Sequence, residues 1–262
     1  MTGPAALDVI RLTGIRKAFP NGVVALDGLD FEVRAGEFVS LLGPSGCGKS
    51  TALRLIAGLT SADSGSLRVT PGAAATVDQS RRDIAFVFQD PTLMPWASAF
   101  DNVWLPLRLA GLSRAAAADR VHEALAGVGL DGFERAYPRE LSGGMRMRVS
   151  IARALVTGPR LLLMDEPFAA LDEITRFRLN DDLLRLKHEQ GWTVVFVTHS
   201  VFESAYLATR IGVMTGRPGR IAGEVTVDVP YPRTEAFRTD RRYAEACRAT
   251  TAILHQAMGD AA

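Results

Sequence analysis

The chain has 262 residues, 47% hydrophobic and 23% charged, an ordinary globular balance with room for one α/β domain and an inserted part. Its formal net charge of +1 excludes a global field that would gather nucleic acid or anionic lipid. The two cysteines, Cys47 and Cys247, exclude a disulfide framework and indicate a reducing compartment, and the lack of any run of about 18 apolar residues excludes a bilayer-spanning segment.

The opening MTGPAALDVIRL has no basic region followed by an apolar core. No signal peptide is expected, and the protein is expected in the cytosol or held at a membrane by a partner. Residues 9–12 and 31–33 alternate as strands, with a turn at Phe19-Pro20-Asn21-Gly22 between them. The Phe19 ring has two readings. It is a face on which a nucleotide base stacks, worth about 1–3 kcal/mol, or it is buried under the small sheet.

Residues 38–42 form a short apolar run that reads as a buried strand. Gly43-Pro44-Ser45-Gly46-Cys47-Gly48-Lys49-Ser50 then fits G-x-x-x-x-G-K-[ST], with Thr51 next and a helical pattern at Leu53, Ile56, Ala57 and Leu59. Strand, glycine loop and helix are the context this motif requires. A polyphosphate needs many N–H donors at close range. Gly43, Gly46 and Gly48 let the backbone curl so that these donors converge, and the helix start adds its dipole. Lys49 is placed to reach the terminal phosphates, and the Ser50 hydroxyl to ligate magnesium.

Residues 61–83 are polar, with one short strand at 67–69 and then a loop. The apolar run 84–88 ends at Gln89, whose amide oxygen can meet a metal or a water. Pro91 and Pro95 keep the next stretch irregular. Its Leu93, Met94 and Trp96 either fold back on the core or line a groove for a partner. Residues 99–108 and 114–128 read as helices, so residues 91–139 form a helical insertion. Leu141-Ser142-Gly143-Gly144-Met145 opens another helix, with Ser142 either a plain cap or part of a second anion site.

Leu161-Leu162-Leu163-Met164-Asp165-Glu166-Pro167 reads as a buried parallel strand ending in two acids. Ligands gather at the carboxyl ends of such strands. Asp165 is placed to hold magnesium, and Glu166 to orient or deprotonate a water. Ala170-Leu171-Asp172 precedes an amphipathic helix to about 187. Residues 193–198 form another buried strand ending at His199, a candidate γ-phosphate sensor. Strands at 211–214 and 221–229 flank a hairpin turn at Arg217-Pro218-Gly219-Arg220, and a helix to about 258 follows.

The ordered set GPSGCGKST at 43–51, Gln89, LSGGM at 141–145, LLLMDEP at 161–167, ALD at 170–172 and His199 resembles the nucleotide-binding subunit of ATP-binding cassette transporters, over about residues 7–225. The resemblance implies an α/β fold: a RecA-like P-loop NTPase core with a small antiparallel β subdomain (about 7–90 and 140–225). A helical subdomain (about 91–139) is inserted, and a C-terminal extension (about 226–262) follows. It implies ATP and Mg2+ as cofactors and an ATP-bound homodimer. In that dimer the signature, Ser142, Gly143 and Gly144, closes on the phosphates held by the other copy. By position it makes Phe19 the adenine-stacking ring, Lys49 the phosphate lysine and Ser50, Gln89 and Asp165 the magnesium shell. Glu166 becomes the catalytic base and His199 the switch histidine. Met145 and Met147 stand where the family commonly has glutamine, which implies altered packing beside the signature.

PTLMPWASAFDNVWLPL and RPGRIAGEVTVDVPYPR are similar to importer subunits for nitrate, sulfonates and taurine, and to related thiamine-precursor and aromatic-acid importers. That implies separate permease subunits, indirectly a solute-binding protein, no nucleic-acid partner and a place at the cytoplasmic face of the membrane. The rival is a soluble cassette ATPase of DNA repair or translation, which usually carries a coiled-coil insertion or two cassettes. Another P-loop NTPase, such as a kinase, has no reason for LSGG.

Overall fold

The computed structural model describes residues 8–70 and 83–259. Most of the loop expected after residue 69 lies outside the described residues, as does the segment before residue 8. Three strands form a small antiparallel sheet in the order β2-β1-β4: β1 (Asp8–Ala18), β2 (Val24–Arg34) and β4 (Ser64–Val69). Six form the main sheet in the order β5-β6-β7-β3-β8-β9: β3 (Phe38–Leu42), β5 (Ile84–Val87), β6 (Leu161–Asp165), β7 (Thr193–Thr198), β8 (Arg210–Met214) and β9 (Ile221–Thr226). All neighbours in it are parallel except β9, which returns antiparallel on β8.

β1 and β2 are much longer than the alternation in the sequence indicates. Their register slips between Leu12 and Ile15 and again near Arg16, and Gly14 and Gly28 take φ of 58° and 73°. Bulges of this kind break the period-2 pattern on which the shorter reading rested. β9 stops at Thr226, short of residue 229.

Strands β6 and β7 are continuous apolar runs because both faces are covered. Leu161, Leu163, Val195 and Val197 point into the core shared with the small sheet and α1 (Lys49–Ile56). Leu162, Met164, Val194 and Phe196 point into the opposite core, which takes in the remaining helices. These are α2 (Ala99–Leu109), α3 (Arg114–Gly127), α4 (Gly143–Leu155), α5 (Glu173–Gln190), α6 (Val201–Leu207) and α7 (Arg241–Gly259). Ser98, Ser113, Ser142, Asp172 and Ser200 cap α2 to α6, each accepting a backbone N–H three residues on. Among the described residues no helix is long and apolar enough to cross a membrane.

Beyond β9 the chain is fastened to the end of α6 by Arg233. Its guanidinium is 6% exposed and donates to the carbonyls of Tyr206, Ala208, Val227 and Val229. α7 then packs on α6, β8 and β9.

Candidate active site

The site begins at the join of β3 and α1. Gly48 is the N-cap of α1 with φ 108°. A Cβ there would lie 2.7 Å from the Ala25 carbonyl oxygen, so the loop needs glycine for both its conformation and its room. Lys49 is 3% exposed. Its ammonium donates to the carbonyls of Gly43 (2.8 Å) and Pro44 (3.0 Å) and stands 3.7 Å from Oε1 of Glu166. The Ser50 hydroxyl donates to Oδ1 of Asp165 at 2.7 Å.

Asp165 ends β6 and is 6% exposed. Burial pushes its carboxyl up from the usual range, and the Ser50 hydrogen bond opposes that shift. A cation beside it would favour the ionised form further. Glu166 follows with φ 44°, a left-handed conformation costly for a residue with a side chain. It is held there by its N–H, which donates to the Val197 carbonyl at 2.9 Å, and by its carbonyl, which accepts from Ala169 at 3.2 Å. Its Oε2 lies 3.0 Å from Nδ1 of His199, just past the end of β7. Lys49, Asp165, Glu166 and His199 thus meet at the carboxyl ends of three adjacent parallel strands, where α/β folds bind ligands.

Gln89, beyond β5, lines a cavity of about 670 Å³ with Ser50, Asp165 and Gly143. Among the described residues no cluster of three His, Cys, Asp or Glu side chains could hold a metal alone. One carboxylate, one hydroxyl and an amide beside a phosphate-type loop fit Mg2+, which keeps few protein ligands and completes its shell with phosphate oxygens and water.

Phe19 is 39% exposed, in a turn closed by its N–H on the Val23 carbonyl at 2.9 Å. The buried reading of this ring is therefore corrected: it stands in the turn just beyond the end of β1, outside the small sheet. The Ser142 hydroxyl is exposed and caps α4 through the Met145 N–H at 3.2 Å. Met147, by contrast, is core at 2% exposed. After Gln89, Leu93 packs on the core while Trp96 is 76% exposed. Sequence reasoning missed what shapes this loop. Asn102 is fully buried and brackets it, accepting from Met94 N–H and donating to the carbonyls of Met94, Ala97 and Ser98. Arg153 of α4 donates to the Pro91 and Thr92 carbonyls and so ties the loop to the helix behind the signature. No spacing rule marks either residue. Both are polar residues at core-facing helix positions, which is the available signal.

The profile of the ABC transporter family matches residues 26–169. The chain belongs to the ABC transporter family. As such it carries that family's ATP-hydrolysing domain. It is 43% identical over 256 residues to the aliphatic sulfonates import ATP-binding protein SsuB 1 of Pseudomonas savastanoi pv. phaseolicola, covering 97% of this chain and 98% of the relative. It is likewise 43% identical over 238 residues to the taurine import ATP-binding protein TauB of Rhizobium johnstonii, covering 89% and 90%. Among solved structures it is similar to the dimeric structure of MJ0796, a bacterial ABC transporter cassette. The TM-score is 0.73 and the identity 34%, over 84% of this chain and all of that one. A post-hydrolysis dimer of MJ0796 bound to ADP and Pi matches with TM-score 0.73 and 33% identity, over the same shares.

Proposed function

We propose that this cassette is the ATP-hydrolysing subunit of an importer for a small anion such as a sulfonate, taurine or nitrate. It works beneath a separate membrane permease, on the cytoplasmic face. The observation that carries the catalytic half is the cluster of Lys49, Ser50, Asp165, Glu166 and His199 at the strand ends. The relatives named for sulfonate and taurine import support the transport half.

In this reading the N–H groups of residues 43–51 and the Lys49 ammonium bind the phosphates, and Phe19 stacks on the base. Ser50, Gln89 and Asp165 would hold Mg2+, which when bound neutralises charge between the phosphates. Glu166 takes a proton from the attacking water, and His199 fixes the carboxylate that does so. Ser142 and Gly143 stand exposed at the start of α4, with Gly144 buried behind them, which suits closure of this signature on phosphates held by a second copy. A groove of about 390 Å³ lined by Phe86, Phe88, Thr92, Leu105 and Leu109 runs beside β5 and α2, and the exposed Trp96 belongs to the same irregular loop. We place the docking of a permease helix there.

The test is a deletion strain assayed for uptake of taurine, alkanesulfonates and nitrate, with co-purification of the tagged subunit. Loss of one uptake together with recovery of a membrane permease supports the reading. Normal uptake, or hydrolysis stimulated by nucleic acid with no permease recovered, refutes the transport half.

A further inference from the structure

The turn between β8 and β9 reaches across to the phosphate loop. Arg217 donates through Nε (3.1 Å) and Nη2 (2.9 Å) to one atom, the Gly46 carbonyl oxygen. Two residues on, Gly219 donates its N–H to the Ala25 carbonyl at 2.9 Å. A Cβ at Gly219 would collide with the Cys47 carbonyl. Arg220 completes the seam with an ion pair to Asp27 at 2.8 Å. The turn therefore meets β2 and the phosphate loop through Arg217, Gly219 and Arg220 within four residues.

We propose that Arg217 is a positioning residue for nucleotide binding, which acts by locking the peptide between Gly46 and Cys47. This rests on the reading of residues 43–51 as the phosphate site. In a trans peptide the C=O and the following N–H point in opposite directions. With its oxygen held outward by Arg217, the Cys47 N–H must face the loop interior. There its partner is the Pro44 carbonyl at a long 3.3 Å, an easily exchanged bond. Gly46 has φ 77°, and glycine rotates between such conformations at little cost. Without a lock this peptide can turn its oxygen inward, which sets a negative dipole against a phosphate and removes one donor from the cradle. The guanidinium blocks that rotation with two charge-assisted bonds from outside the loop. Lys49 does not do so, since its ammonium faces Gly43, Pro44 and Glu166 and makes no bond to Gly46.

The experiment measures steady-state ATPase and thermal melting, with and without Mg-ATP, for wild type, Arg217→Ala, Arg217→Lys and Lys49→Ala. Arg217→Ala is expected to raise the KM for ATP about tenfold with a much smaller change in kcat, the pattern of lost ground-state binding. Lysine offers one bond in place of two, so Arg217→Lys should fall between. The nucleotide-free Tm should stay near wild type, while the ATP-induced rise in Tm shrinks. An unchanged KM in both variants overturns the proposal. So does a raised KM matched by an equal loss of nucleotide-free stability, which would make Arg217 a plain structural tie. Near-normal hydrolysis by Lys49→Ala would sink the phosphate-loop reading instead.

Discussion

His199 Nδ1 lies 3.0 Å from Oε2 of Glu166, while the other oxygen of the same carboxylate faces the Lys49 ammonium at 3.7 Å. A single carboxylate at the end of β6 is thus held on both oxygens by groups from two other strand ends, on a residue whose backbone is already fixed at φ 44°. An acid with so little freedom is suited to orienting a water in one direction.

Glu166→Gln should therefore keep ATP binding and lose most turnover, because the amide preserves the shape but cannot take the proton. General-base loss is worth about 10²–10⁴ in rate. ATP should then hold a stable dimer on size exclusion. Steady-state ATPase equal to wild type would remove Glu166 from this role.

Ser142 should act on a site in the other copy. A mixed dimer with Ser142→Arg in one subunit and Lys49→Ala in its partner places both lesions in one composite site and leaves the second intact. Both lesions in the same subunit damage both sites. The first arrangement is expected to keep about half of wild-type turnover and the second little. Equal rates from the two would contradict head-to-tail pairing.

Trp96→Ala should reduce assembly with the permease or solute-stimulated hydrolysis, and leave the isolated subunit folded and able to bind ATP. At 76% exposure the ring has little native burial to lose. A Trp buried on docking is worth about 2 kcal/mol or more. Pull-down of the permease and melting of the free subunit decide it. Normal assembly and transport would move the contact elsewhere.

Arg233→Met should destabilise the whole cassette by about 3 kcal/mol, because the carbonyls of Tyr206, Ala208, Val227 and Val229 lose the hydrogen bonds of a buried guanidinium. For a chain of this size that lowers the Tm by roughly 5–10 °C. A Tm within about 1 °C of wild type would show that the segment after β9 is only loosely attached.

The sequence by itself determined which residues gather at the centre. The phosphate loop, the Asp165-Glu166 pair and His199 could be read because each follows directly on a short apolar run. A strand buried on both faces has no alternation to misread, and its end marks where ligands bind. It also offered Ser142 as a helix cap, which it is, since its hydroxyl accepts a backbone N–H only three residues away. What only the tertiary structure decided are the contacts made across long stretches of chain. The seam of Arg217 on Gly46 spans 171 residues. Asn102 organises the loop of Trp96, Arg233 carries the C-terminal segment, and the turn closed on the Val23 carbonyl holds Phe19 outside the small sheet. In each case a backbone carbonyl supplies the partner. Backbone atoms are the same at every position, so no residue pattern announces which of them a distant side chain will meet.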